Sequence, residues 1–356
     1  MRFPRPGRAH LLLLIAALLL CVYEAVGQES EVASGDTSTG NDAYSITVDG
    51  LKRSYLVHVP QEYKQERQWP VVIMFHGGGG KAKAAMWDTG WAAKGDKEGF
   101  LTVFPEGTPP DPTRPGSFIG NPQTWNDGSQ RPNVGAAQRN VADVEFFSAM
   151  LDDLTRRFNV DTRRVYVTGF SNGASMSFRV ARELSSVIAA IAPVAGSDWL
   201  SDKKPERSVP LLYITGTADP LNPIDGGEVH VGLKSFGRKP PTQEMIGRWV
   251  ELHHCRKTPR VVFDEYGSKA VAYARPDGTD VVVYYRIDGH GHHWPGGRAI
   301  LPQALAGKNA ARLKATDVIW EFFRKHASPS KDEASAAATS ESDPARQRDD
   351  PAEKKG

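Results

Sequence analysis

The chain has 356 residues, 40% of them hydrophobic and 24% charged, with a formal net charge of +2. It is long enough to bury one substantial core or two small ones. Basic and acidic residues are interspersed, which gives no basis for a nucleic-acid or acidic-polymer partner.

At the start, Arg2, Arg5 and Arg8 precede an apolar run from Leu11 to Val22, and Ala25-Val26-Gly27 places small residues where a signal peptidase inspects them. Residues 1–27 are therefore expected to be a cleaved export signal, leaving a secreted or periplasmic protein. The run is about a dozen residues against the roughly 20 of a membrane-spanning helix, so no stable membrane anchor is expected. Residues 28–42 carry Ser, Gly, Thr and acidic side chains and read as a flexible leader; residues 43–326 form one α/β-sized domain, and residues 327–356 a disordered tail. Removal of Cys21 with the signal leaves Cys255 single, so no intramolecular disulfide can form.

Within the domain, Tyr44 to Val48 and Ser54 to Val59 alternate apolar and polar residues around Asp49-Gly50, an opening antiparallel hairpin. Continuous apolar runs follow at Val71 to Phe75, Leu101 to Phe104, Val165 to Thr168, Ile188 to Val194 and Leu211 to Ile214, as in strands covered on both faces. Val144, Phe147, Leu151, Leu154 and Phe158 are spaced for one helical stripe. A last helix is expected over Asp317 to Lys325 behind a Thr316 cap. This alternation predicts an α/β fold with a doubly wound, mostly parallel sheet.

Reactive groups in such sheets gather beyond the carboxyl ends of the strands. There lie His76-Gly77-Gly78-Gly79-Gly80, Gly169-Phe170-Ser171-Asn172-Gly173, Gly216-Thr217-Ala218-Asp219-Pro220 and Gly289-His290-Gly291-His292-His293-Trp294-Pro295. The Gly-x-Ser-x-Gly stretch after a β-branched run has the strand-turn-helix setting of a nucleophile elbow, with Ser171 as the candidate nucleophile. A serine hydroxyl needs a histidine to take its proton and an acid to orient that histidine. In the chain order Ser, acid, His, the acid candidates are Asp219, then Asp225, with Asp198 and Glu228 as competitors; only Asp219 stands directly beyond an apolar strand. Spacing alone leaves the base open among His290, His292 and His293. A metal site on His-x-His-His is the competing reading, without a companion carboxylate or cysteine cluster. The tetrahedral oxyanion needs two N–H donors, expected from Asn172 and from the glycines at 77–79, chiefly Gly77 and Gly78. His76 is expected to be structural. Of Trp87, Trp91, Trp125, Trp199 and Trp294, most should cap the core; Trp125 and Trp294 are the candidate substrate contacts, because indole stacks on sugar and phenolic rings.

These residues resemble the secreted esterases that group feruloyl and acetyl-xylan esterases with polyhydroxybutyrate depolymerases, within the α/β-hydrolase superfamily. The resemblance runs from about residue 44 to 326. It is carried by His76 to Gly80, Thr124-Trp125-Asn126, Arg164 to Gly173, Ile188 to Gly196, Gly216 to Pro220 and Gly291-His292-His293-Trp294-Pro295-Gly296. It implies an α/β-hydrolase fold, no cofactor, and a histidine two residues before Trp-Pro-Gly, which selects His292. It also implies Asp219 and Ser171 as the other triad members. The single Cys255 departs from members that pair their cysteines. The expected substrates are feruloyl or acetyl esters of polysaccharides; backbone esters of a polyester, a non-catalytic glycan binder and acyl transfer are the other readings.

Overall fold

Asp49 and Gly50 both take positive φ, 49° and 72°, as a two-residue hairpin turn matched to strand twist requires. They join β1 (Gly40–Val48) to β2 (Leu51–Val59), antiparallel from Val48 against Leu51 to Gly40 against Val59. The computed structural model describes residues 39–329. The expected export signal, residues 28–38 of the leader and the tail from residue 330 lie outside them. Residues 40–42, expected in the leader, belong to β1. Past Ala327 the chain is still held, since the Ser328 amide donates to Arg163 O at 2.8 Å.

The apolar runs become β3 (Trp69–Phe75), β4 (Leu101–Pro105), β5 (Val160–Phe170), β6 (Ala190–Val194) and β7 (Leu211–Gly216). After a two-stranded excursion, β8 (Gly227–Val231) with β9 (Lys234–Lys239), come β10 (Arg260–Glu265), β11 (Ser268–Ala274) and β12 (Asp280–Ile287). Among the described residues ten strands form one sheet in the order β1-β2-β4-β3-β5-β6-β7-β12-β11-β10. From β4 to β12 all neighbours are parallel. The first strands are antiparallel as expected, and so are β10 and β11 at the other edge.

The period of two explains the core. Along β3, Val71, Ile73 and Phe75 enter one apolar cluster, while Val72 and Met74 enter the other. The first face is covered by α3 (Asp143–Arg157), α4 (Asn172–Glu183) and α5 (Thr242–Leu252), through side chains such as Phe147, Met176 and Trp249. The second is covered by α1 (Ala82–Thr89), α2 (Trp91–Glu98) and α6 (Ala315–Phe323), through Ala85, Trp91 and Ile319. The expected stripe on α3 is buried at Val144, Phe147, Leu151 and Leu154.

One end differs from expectation: α6 starts at Ala315, so Thr316 lies inside the helix rather than capping it. Its hydroxyl instead donates to Thr89 O at 2.6 Å and accepts from Trp294 Nε1 at 3.2 Å, tying α6 to α1. The chain leaves β3 toward β4 on one side and returns to β5 on the other. Strand order therefore reverses at β3 and β5, the place where an open α/β sheet opens a crevice.

Candidate active site

The loops after β3 and β5 meet at that crevice, because Phe75 pairs directly with Gly169. Ser171 sits at the tip of the second loop with φ 56° and ψ −118°, a strained conformation for a side-chain-bearing residue. Two glycines make the tip possible. A Cβ at Gly169 would lie 2.3 Å from Gly173 O, and one at Gly173 would lie 2.3 Å from Phe75 O. The Ser171 amide donates to Val194 O at 2.9 Å and its carbonyl accepts from Ser175, so the strain is held from both directions.

Asp219 follows β7 and His292 follows β12, adjacent parallel strands with Gly216 opposite Ile287. Asp219 Oδ1 accepts the amides of Leu221 and Asn222, both at 2.8 Å, and Oδ2 accepts from His292 Nδ1 at 2.7 Å. The Asp219 and His292 side chains are 0% and 3% exposed. Burial by itself would raise the Asp219 pKa, but the imidazole and the two amides outweigh it and hold the carboxyl below its usual value. An anion at Oδ2 fixes the proton of His292 on Nδ1 and leaves Nε2 as the acceptor. The Phe170 ring lies 4.7 Å from the His292 ring, placing the imidazole beside the residue that precedes Ser171. Ser171 Oγ and His292 Nε2 make no hydrogen bond to each other or to any other described residue.

The other histidines of the cluster hold the chain. His290 Nδ1 accepts the amides of Ala310 and Ala311, and its Nε2 faces His293 O; His293 Nε2 faces Gly307 O at 3.0 Å. Of the competing acids, Asp198 is locked by Arg182 and Trp249 Nε1, whereas Asp225 and Glu228 are exposed.

The glycine loop lies against the serine. A Cβ on Gly77 would lie 3.3 Å from Ser171 Cβ, and one on Gly78 3.8 Å from Asn172 Cβ. In Gly77–Gly80, Gly79 N donates to Gln123 O and Gly80 N to Gly77 O, whereas Gly77 N and Gly78 N donate to no described residue. His76 is buried beneath the loop: Nδ1 bonds Gly77 O at 2.8 Å and Nε2 accepts Gly107 N at 2.9 Å. Burial lowers its pKa to about 4, so it stays neutral in its structural role.

Trp125 and Trp294 correct the expectation that they contact substrate, because they are 0% and 1% exposed. Trp125 Nε1 donates to His76 O, and its ring packs edge-on against Phe75 at 4.9 Å. Large apolar side chains in loops were drawn into the core by the same burial that drives the rest of it. What sequence reasoning missed is the structural work of the Asn172 side chain. Its Oδ1 accepts Trp125 N at 2.7 Å, and its Nδ2 donates to Trp125 O and to Asp127 Oδ2. The only trace of this in the sequence is the polar Asn126-Asp127 pair beside Trp125.

Among the described residues no group of three or more His, Cys, Asp or Glu is arranged to hold a metal, and no helix is long and apolar enough to cross a membrane. Cys255 is a free, partly buried thiol whose pKa burial raises.

The chain is 29% identical over 302 residues to NocK of Nocardia uniformis subsp. tsuyamanensis, named as an inferred esterase, covering 79% of this chain and 82% of that one. It is 27% identical to feruloyl esterase B of Piromyces equi, covering 67% of this chain and 42% of that one. It is 26% identical to poly(3-hydroxyalkanoate) depolymerase C of Paucimonas lemoignei, covering 64% of this chain and 55% of that one. The chain thus spans only about half the length of the latter two. The profile of the Dienelactone hydrolase family matches residues 56–235, half of the sequence. With this match and the sheet order above, the chain belongs to the dienelactone hydrolase family of carboxylic-ester hydrolases, on an α/β-hydrolase fold.

Proposed function

We propose that the protein is an exported serine esterase that works through an acyl-enzyme, on feruloyl or acetyl esters carried by polysaccharides. The observation that supports it most is the buried 2.7 Å contact of His292 Nδ1 with Asp219 Oδ2, set at strand ends beside the strained Ser171. In this reading Ser171 Oγ attacks the ester carbonyl as His292 Nε2 takes its proton. The amides of Asn172 and of Gly77 or Gly78 hold the oxyanion, and His292 passes the proton to the leaving alcohol. Water enters by the same steps in reverse and frees the acid. The chemistry calls for no metal or organic cofactor. The proposal requires Ser171 Oγ and His292 Nε2 to come within hydrogen-bond reach when the ester is bound.

A fluorophosphonate probe tests the nucleophile: wild type should label and Ser171→Ala should not. Equal labelling of both, or none of wild type, would sink the proposal and leave a glycan-binding relative. Rates on feruloylated xylan, acetylated xylan and polyhydroxybutyrate test the substrate, and release of hydroxybutyrate alone would overturn the polysaccharide assignment. Product analysis with an added alcohol acceptor separates hydrolysis from acyl transfer. The N-terminal sequence of protein recovered outside the cytoplasm should begin at Gln28.

A further inference from the structure

The glycine loop is framed from behind by residues outside the triad. Glu106 stands directly after β4, the strand beside β3, and so next to the start of the loop that follows β3. Its Oε1 accepts the Ala82 amide at 2.9 Å, at the far end of the loop. Its Oε2 accepts Gln123 Nε2 at 2.8 Å. The backbone carbonyl of the same Gln123 accepts the Gly79 amide at 2.7 Å, its side-chain Nε2 also donates to Gly107 O at 3.0 Å, and Gly107 N closes the circuit on His76 Nε2. A Cβ at Gly107 would lie 2.9 Å from Thr124 O and 3.1 Å from His76 Cε1, so this closure requires glycine.

We infer that Glu106 is a positioning residue for ester hydrolysis: through Ala82 and Gln123 its carboxylate fixes the 76–82 loop in the shape that leaves the Gly77 and Gly78 amides without a partner among the described residues, beside Ser171 and Asn172. The inference rests on the esterase reading above and adds to it the group that preorganises one half of the oxyanion site. Every other N–H of Gly77–Gly80 is consumed inside the frame, which leaves the two donors that chemistry at Ser171 can use. Keeping an anion in this place is costly. Burial pushes the Glu106 carboxyl up to about 7, against the pull of the Ala82 amide, the Gln123 side chain and Lys81. Above that pH the carboxyl is the anion, and its charge-assisted acceptance from Ala82 and Gln123 is stronger and more directional than a neutral group would supply.

The test uses the full chain and p-nitrophenyl acetate, with Glu106→Gln, Glu106→Ala and Ser171→Ala. Glu106→Gln keeps one acceptor for Ala82 and sets an amide against the Gln123 amide; Glu106→Ala removes both acceptors. The expected result is a kcat loss of about tenfold for Glu106→Gln and about 100-fold for Glu106→Ala, with KM within about twofold, because loosened donors act on the transition state. If wild type turns over and either variant, folded by its melting transition, keeps kcat within about threefold, Glu106 has no positioning role and the esterase reading stands. Losses that merely track the folded fraction in both variants overturn it equally. A wild type no faster than Ser171→Ala removes the esterase reading itself.

Discussion

Replacing Asp219 by Asn isolates what the carboxylate does, because the structure dictates how the amide must sit. Asp219 Oδ1 accepts two amides, from Leu221 and Asn222, each at 2.8 Å in a buried turn. An asparagine that turned its NH2 toward them would leave two buried donors unsatisfied, about 1–3 kcal/mol each. Its carbonyl oxygen therefore stays with the amides and its NH2 takes the place of Oδ2, 2.7 Å from His292 Nδ1 in the native pair. That NH2 can only donate, so Nδ1 becomes the acceptor and the ring proton moves to Nε2, where it blocks proton transfer from Ser171. A wrong-tautomer imidazole costs about 10⁴ in kcat, or about 5 kcal/mol of barrier. Initial rates on p-nitrophenyl acetate, with a melting curve to establish folding, should show this loss with little change in KM. A folded Asp219→Asn enzyme within about tenfold of wild-type kcat would refute the tautomer argument and with it the orientation assigned to Asp219.

Asp88 is buried, its Oδ1 has no hydrogen-bond partner, and burial pushes its pKa to about 7. A carboxyl whose folded pKa is raised destabilises the fold above that value and not below its unfolded one. Asp88→Asn should therefore stabilise progressively from about pH 4 to pH 7, by at most about 4 kcal/mol at pH 9, in urea unfolding; equal effects at pH 4 and pH 9 would contradict the assignment. Trp125→Ala should cost about 3–5 kcal/mol of stability, whereas Trp125→Phe should leave KM unchanged; a raised KM at unaltered stability would restore Trp125 as a substrate contact. At Gly78 a Cβ meets only ordinary contacts at 3.8 Å, whereas at Gly173 it would meet backbone oxygens at 2.3 and 2.4 Å. Gly78→Ala should accordingly yield folded protein and Gly173→Ala should not, as judged by soluble yield and circular dichroism.

Much of the fold was legible because it is written in local periodicity. Alternation at Tyr44–Val59 gave the hairpin, unbroken apolar runs gave the parallel strands, and the 144–158 stripe gave α3. The antiparallel β10 and β11 at the far edge were missed. β10 is largely exposed on both faces, so no apolar period marks it. The Thr316 cap was wrong because a threonine hydroxyl beside a helix start serves a tertiary partner, Thr89 O, as readily as its own helix.

The candidate site divides in the same way. Gly169, Ser171 and Gly173 lie within one turn, where chain geometry alone decides their relation, and the sequence determined them. Asp219 and His292 could be ordered along the chain but joined only by the pairing of β7 with β12. Spacing could not choose among three histidines, since the choice depends on which imidazole meets the carboxylate and which are held instead by backbone groups, His293 by the Gly307 carbonyl and His290 by the Ala310 and Ala311 amides and the His293 carbonyl. Trp125 and Trp294 were misplaced because an indole in a loop has the same composition signal whether it faces solvent or the core. The partnership of Glu106, Gln123 and His76 leaves no periodic or spacing signal. It arises from a strand order, β4 beside β3, that brings together groups remote in the chain, and only the folded sheet decides that order.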